Sequence, residues 1–328
     1  MTFASLSDLR ALVPARARVI IDNDFSGDPD GLVQLAHHLL SPSVDVRVVI
    51  GSHLRAGDGF DPSTVTADNA ASAARAVVDL AGRTGQVEVM AGSNVALADR
   101  ATPIRSAATD AIIAEAMRDD SDLPLFLACG AGLTEVASAW LLEPRIAERL
   151  TVVWIGGPEH DGIAVAPPGS VGAEYNLAID VIAGRVVFGD SALPIWQVPR
   201  DAYRQTLMST AELLTRVRGV GPLGDHLEAA VTRVSTMVEH YGMHVGETYI
   251  MGDSPLVLLT ALQSSFEADP SSSAYVTRAT PAFDDDGRYV EVAGARPMRV
   301  YTRLDLRLMF DDFYAKLAMW QRETDAGS

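Results

Sequence analysis

The stretch Val19-Ile20-Ile21-Asp22-Asn23-Asp24-Phe25-Ser26-Gly27-Asp28-Pro29-Asp30-Gly31 decides how this chain is read. It opens on consecutive β-branched residues, the pattern of a strand covered on both faces. Residues 31–40, which follow it, have the spacing of a helix. Between the two, Asp22, Asp24, Asp28 and Asp30 place four carboxylates within nine residues. Like charges this close repel one another unless a cation sits among them. Oxygen-only donors at a strand end suit a hard ion, Ca²⁺ or Mg²⁺. The plainer account is a capped helix start, with Asp28 or Asp30 as the cap. That account uses one or two of the four carboxylates and leaves the rest unexplained.

Outward from this loop, strand-like runs over 19–22, 44–51, 87–91, 125–128, 150–157 and 193–198 alternate with helix-like segments over 64–82, 107–118, 133–142, 206–243 and 255–262. Residues 171–188 open as a loop and continue as a helix. The alternation predicts an α/β fold: a mostly parallel, Rossmann-like sheet flanked by helices. The tail changes character. Residues 274–292 and 297–304 read as antiparallel strands with Asp284-Asp285-Asp286-Gly287 as a turn, before a last helix over 310–322. The expectation is one domain over 1–328, with a core of about 18–262 and a small antiparallel C-terminal extension over 263–328. Residues 57–62 and 161–169 are the loopiest. Both follow strands, so both reach the carboxyl edge of the sheet, where open α/β folds bind ligands.

Composition removes several function classes. With 48% hydrophobic residues in 328, the chain can bury a large core. No apolar run is long enough to span a bilayer. Residues 1–8 lack the basic and apolar regions of a signal peptide. Cys129 is the only cysteine, so no internal disulfide forms and a cytoplasmic location is the simplest expectation. The formal charge of −17 repels a phosphate backbone and argues against nucleic acid as a partner. Lys316 is the only lysine among 26 basic residues, which excludes Schiff-base and P-loop lysine mechanisms. Gly130-Ala131-Gly132 and Gly156-Gly157 lack the spacing of a dinucleotide-binding turn.

The acidic loop resembles the N-terminal signature of the nucleoside hydrolase family, the inosine–uridine-preferring type. Further blocks match in order: Gly130-Ala131-Gly132-Leu133-Thr134-Glu135-Val136-Ala137, then Val152-Val153-Trp154-Ile155-Gly156-Gly157, then Glu174-Tyr175-Asn176 with Asp180, then Gly252-Asp253-Ser254-Pro255-Leu256. The resemblance covers about residues 18–262. It implies metal-dependent hydrolysis of a ribonucleoside N-glycosidic bond, giving ribose and free base, a reaction of purine and pyrimidine salvage. It implies Ca²⁺ as cofactor and a homodimer or homotetramer. By resemblance Asp24 binds the metal and accepts the proton of the attacking water. Thr134, through its backbone carbonyl, and Asp253 are further ligands. Glu174 and Asn176 hold the ribose hydroxyls. Asp22 has a supporting role, and Asn69 a structural one. The chemistry is coherent: a carboxylate-rich pocket stabilises the positive charge that develops on the sugar.

The chain departs from the family pattern at several positions. Asp28 and Pro29 stand where an Asp pair is usual. Anchored on the helix instead, Asp30 matches the first Asp of the pair and Gly31 replaces the second, so Asp28 and Asp30 both stay candidates for the metal, and Asp30 for the sugar as well. Gly252 stands where some members place a His that protonates the departing base. His240, Tyr241 and His244 are the substitutes, each with a plain reading as a solvent-facing residue. Ser52 or His53 is placed to touch the ligand, where the family often has Gly-Asn. Pro168 replaces an asparagine before the Glu174 block. Two rivals remain open: a nucleoside- or sugar-binding protein of the same fold without cleavage, and a haloacid-dehalogenase-type phosphatase, whose phosphate-holding lysine has no counterpart between the two acidic motifs.

Overall fold

The computed structural model describes residues 4–327 apart from 241, 243–245, 265, 267 and 268. Twelve strands are described: β1 Ala17–Asn23, β2 Val44–Gly51, β3 Glu88–Ala91, β4 Leu125–Cys129, β5 Leu150–Ile155, β6 Ile195–Val198, β7 Leu207–Ser209, β8 Thr248–Ile250, β9 Ala274–Ala279, β10 Ala282–Phe283, β11 Tyr289–Val290 and β12 Pro297–Arg303. Eight of them form one sheet in the order β3-β2-β1-β4-β5-β6-β12-β9, parallel throughout except for β9. The fold is the expected α/β sheet with an antiparallel C-terminal pairing.

Burial explains why the β1 sequence is a strand. All of its residues are buried, and its side chains alternate between two cores. Val19 and Ile21 pack with the helices Asp30–Leu39, Thr66–Leu80, Pro255–Thr260 and Leu306–Gly327 on one face. Ile20 packs with Ala107–Ala116 and Thr134–Leu142 on the other. From β1 the chain runs outward to β2 and β3; β4, on the other side of β1, starts the opposite run. Ligands bind at such a reversal, beyond the carboxyl ends of the strands. The acidic loop leaves the sheet there.

Three expectations change. The helix predicted over 206–243 breaks into β7, short helical turns and a helix over Gly221–His240. The reason is local. Ser209 caps a new turn by accepting from the Glu212 N–H, and Gly219 and Gly221 take positive φ angles of 75° and 65°. β7 then pairs antiparallel with β8. The predicted strand over 274–292 divides into β9, β10 and β11. Asp284 Oδ1 accepts from the Asp286 and Arg288 N–H groups and closes the acidic turn between β10 and β11. The tail is no separate layer, because β12 pairs in parallel with β6 through Arg299 and Val300. The last helix, Leu306–Gly327, is longer than predicted.

Gly51 ends β2 beside Asn23, against the helix Thr66–Leu80. A Cβ there would lie 2.2 Å from the Ala71 nitrogen and 2.7 Å from the Ala67 oxygen. Backbone cannot yield as a side chain can, so Gly51→Ala is expected to cost about 1–3 kcal/mol in urea unfolding. Gly59→Ala, with no atom within 4 Å of its Cβ, is expected to change stability by less than about 0.5 kcal/mol. Equal effects at the two positions would contradict this packing.

Candidate active site

The helix after the acidic loop, Asp30–Leu39, begins at Pro29 with no side-chain cap. Asp28 and Asp30 bond N–H groups of its first turn, Asp28 that of Asp30 and Asp30 that of Gly31, and each carboxylate has a second partner besides. Asp30 Oδ1 accepts from the Gly31 N–H at 2.9 Å, and its Oδ2 accepts from the Asp253 N–H at 3.1 Å. That bond joins the first and last acidic motifs. Asp253 arrives from the turn between β8 and the helix Pro255–Thr260. Glu174 caps the helix Tyr175–Ile179, accepting from the Leu177 N–H at 3.1 Å, the Gly157 N–H at 2.7 Å and the Tyr203 hydroxyl at 2.7 Å. Gly157 has φ +88°, and a Cβ there would lie 2.3 Å from Gln197 Nε2, so the turn after β5 that feeds Glu174 needs a glycine. Asn176 Nδ2 donates to the Gly130 and Ile155 carbonyls at 3.1 and 2.8 Å and ties the ends of β4 and β5 together.

These groups wall a cavity of about 210 Å³. Asp24, Asp28, Asp30, Asp253 and Glu174 line it, with Phe60, Tyr175, Tyr203 and Ile250. Among the described residues no Lys, Arg or His lines it. Tyr249 donates its hydroxyl to Asp28 Oδ1 at 2.8 Å, and Tyr175 donates to Asp58 Oδ2 at 2.9 Å.

The electrostatic consequence is uniform. Burial, then Asp253, Asp28 and Asp58, raise the Asp24 carboxyl well above its usual range. Burial, then Asp253, Asp28 and Asp24, do the same to Asp30. Burial pushes Asp253 up to about 7 against the Asn23 hydrogen bond, and Asp28 up to about 6 against the Tyr249 bond. Glu174 is raised by burial in spite of its donors. Hard oxygen donors with uncompensated charge fit a hard cation. Among the described residues, no three His, Cys, Asp or Glu side chains stand close enough together to hold a metal ion.

Asp24, Asp28, Asp30, Glu174, Asn176 and Asp253, all singled out in sequence, share this wall. Ser52 and Thr134 stand behind it. Ser52 is buried and donates its hydroxyl to Asp22 Oδ1. Thr134 opens the helix Thr134–Leu142. Its hydroxyl bonds Asp180 Oδ2 at 2.7 Å and His53 Nε2 at 2.9 Å. His160 stacks on Tyr289 and bonds Gln197, away from the cavity. Asn69 ties down the 57–63 loop through Asp61 and Ser63. The His240 side chain, Tyr241 and His244 lie outside the described residues. Gly252 is on the wall, and a Cβ there would sit 3.1 Å from Asp30 Oδ2. Sequence reasoning missed Phe60, Tyr203, Tyr249 and the buried Asn23. The glycine-rich 57–62 loop was a signal for Phe60. Tyr203 and Tyr249 flank residues 206–243, the segment whose periodicity misled.

The family model for inosine-uridine preferring nucleoside hydrolase matches residues 19–310. The inosine-uridine preferring nucleoside hydrolase of Crithidia fasciculata is 41% identical over 93 residues, which is 27% of this chain and 26% of that protein. The matched stretch thus spans about a quarter of the relative. A purine-preferring ribonucleoside hydrolase from Gardnerella vaginalis superposes with a TM-score of 0.74 at 18% identity, covering 93% of this chain and 99% of its own. A plant nucleoside hydrolase gives 0.70 at 20% identity, with the same coverage. At these identities the likeness speaks for the fold. Among the described residues no helix is long and apolar enough to cross a membrane.

The raised carboxyls make a stability prediction for the metal-free protein. The folded chain holds a proton on Asp253 that the unfolded chain releases from 3.8 upward. The stability this gives is complete below the unfolded value and is lost as pH rises through about 7. The buried His37 and His38, both lowered chiefly by burial, act in the opposite sense below 6.5. A difference measurement removes them. The melting temperature of Asp253→Asn relative to wild type, in chelator, is expected to rise from pH 5 to pH 8. A difference that is flat or falls over that range would show that Asp253 is not held protonated.

Proposed function

The chain belongs to the inosine-uridine preferring nucleoside hydrolase family, and from that premise we propose that it hydrolyses the N-glycosidic bond of a ribonucleoside, releasing ribose and free base with Ca²⁺ as cofactor. The observation that carries the reading is the meeting of Asp24, Asp30 and Asp253 on one buried wall beside Glu174 and Asn176. They come from three separate parts of the chain, and family membership alone does not guarantee that this divergent loop still assembles them.

Each residue then has a task. Asp24, Asp30 and Asp253 would hold the cation; Asp253 is the largest charged neighbour of both the others. When bound, Ca²⁺ supplies the positive charge that returns these carboxyls to their ionised form and acidifies the water beside it. Asp24 accepts the proton of the attacking water. Glu174, oriented by Tyr203 and two backbone N–H groups, faces the sugar and binds its hydroxyls. Asn176 commits its amide N–H to the sheet and offers its oxygen to the same hydroxyls. Asp28, turned by Tyr249, adds negative charge where the ribosyl ring becomes positive, so the wall favours the transition state over the neutral substrate. Phe60 and Ile250 complete the cavity with apolar surface and exclude water.

A second reading has its own observation. Gly252 provides no side-chain acid for the leaving base, and its near approach to Asp30 leaves little room for one. In that reading the protein binds a nucleoside without cleaving it.

A panel of purine and pyrimidine ribonucleosides, followed by release of free base with Ca²⁺ and with chelator, separates the two. Metal-dependent release is expected, and Asp24→Asn should lower kcat/KM by at least about 10²-fold while weakening Ca²⁺ binding in calorimetry. Nucleoside binding without base release at saturating Ca²⁺ would sink the hydrolase reading. Full activity in Asp24→Asn would overturn the assignment of the base.

A further inference from the structure

Behind the cavity, Asn23 ends β1 with its side chain completely buried. Its carboxamide is used at both ends. Nδ2 donates to Asp253 Oδ2 at 2.9 Å and to Gln34 Oε1 at 3.3 Å, while Oδ1 accepts from the Asp24 N–H at 2.8 Å. One amide thus spaces two acids of the wall. A flipped amide would aim its oxygen at the carboxylate of Asp253, so the partners fix its orientation. The space it fills is kept by two glycines. A Cβ at Gly130 would lie 2.5 Å from Asn23 Nδ2, and one at Gly31 would lie 3.0 Å from it. Gly31, which breaks the usual Asp pair, is therefore matched to the asparagine between Asp22 and Asp24.

The bonds continue away from the cavity, and the amide partners assign them a direction. Gln34 Oε1 is taken by Asn23, so the Gln34 amide N–H points at His38 Nδ1. His38 Nε2 then donates to Thr260 Oγ1 at 2.8 Å, since the Thr260 hydroxyl hydrogen is committed to the Leu256 carbonyl at 2.6 Å. Leu256 in turn donates its N–H to the Asp253 carbonyl at 3.0 Å. The path returns to its origin. Gln34, His38 and Thr260 are all buried. Burial, with His37 and Lys316 close by, keeps His38 neutral, as a ring that accepts at one nitrogen and donates at the other must be.

We propose that Asn23, Gln34, His38 and Thr260 are positioning residues in a closed ring of hydrogen bonds, whose two arms both start at Asn23 as donor and both end at Asp253 as acceptor, and which sets the Asp253 carboxylate from behind. The ring locks the helix Pro255–Thr260 against the helix Asp30–Leu39, so the acids at the start of each keep their separation. None of the four lines the cavity. The proposal rests on the reading of Asp253 as a cation ligand, and its test has one readout that does not.

The first readout is the tautomer of His38, by ¹⁵N NMR of the histidine-labelled full chain, with its signals identified by their loss in His38→Gln. A bare Nδ1 and a protonated Nε2 are expected. The opposite tautomer, or a doubly protonated ring at neutral pH, would overturn the direction of the ring. The second is Ca²⁺ affinity by calorimetry in two variants of a residue remote from the ion. Thr260→Val keeps the shape and loses the hydroxyl; Thr260→Ser keeps the hydroxyl and loses a methyl. Loss of a direct outer partner of a ligand costs about 10–100-fold in metal affinity; Thr260 reaches Asp253 only through Leu256 and His38, so Val is expected to weaken Ca²⁺ binding by about three- to tenfold and Ser by less than about twofold. Equal losses, or a greater loss in Ser, would assign Thr260 to packing and overturn the proposal. If wild type binds no Ca²⁺, the cation-site reading fails while the tautomer still decides the ring.

Discussion

Mutual repulsion among buried carboxylates at the end of β1 is the constraint on which this structure turns. The protein manages buried acids in two ways. Away from the cavity it pairs some of them with cations, Glu115 with Arg18 and Glu159 with Arg200, and holds others, Asp22, Asp180 and Glu135, with neutral donors. On the cavity wall it uses neutral donors. Tyr249 holds Asp28, Tyr203 and backbone N–H groups hold Glu174, Asn23 holds Asp253, and the Asp253 N–H holds Asp30. A neutral donor fixes direction and leaves the charge uncompensated. Arginine would fix direction too, but it would cancel the charge the site exists to present. With 26 basic residues in the chain, the omission is a matter of placement, not of supply.

That arrangement links the fold to the proposed chemistry. The reversal of strand order beside β1 leaves the crevice. The parallel strands deliver Asp24 and Gly130 to its floor, and the longer excursion through β8 brings Asp253 back across it. A cation and a sugar that turns positive in the transition state are the two ligands for which an uncompensated acidic wall is an advantage. A substrate that gains no positive charge on the way to its transition state would meet only its cost.

Much of this was legible in the sequence, and the exceptions have physical reasons. β1 could be read because a strand buried on both faces must be apolar along its length. The acidic loop could be read because four carboxylates at one strand end have few other uses. That Asp28 and Asp30 both face the cavity could not, because it depends on how the Pro29 turn sets the helix start. Ser52 lies just past a strand end, yet its side chain points back to Asp22. One residue of register at a strand end decides which face a side chain serves. β7 was hidden because a three-residue strand is too short for its period to register, and with it went Tyr249 on the neighbouring strand. The role of Asn23 was invisible because its partners, Gln34, Thr260 and Asp253, are spread through the chain.

The central claim is that Asp24, Asp30 and Asp253 converge on one cation in this divergent loop. Anomalous diffraction from crystals grown with Ca²⁺ tests it directly. The account predicts a single anomalous peak bonded by those three carboxylates, with Asp28 still turned toward Tyr249. A peak held by Asp28 in place of Asp30, or no peak on this wall at saturating Ca²⁺, would contradict it.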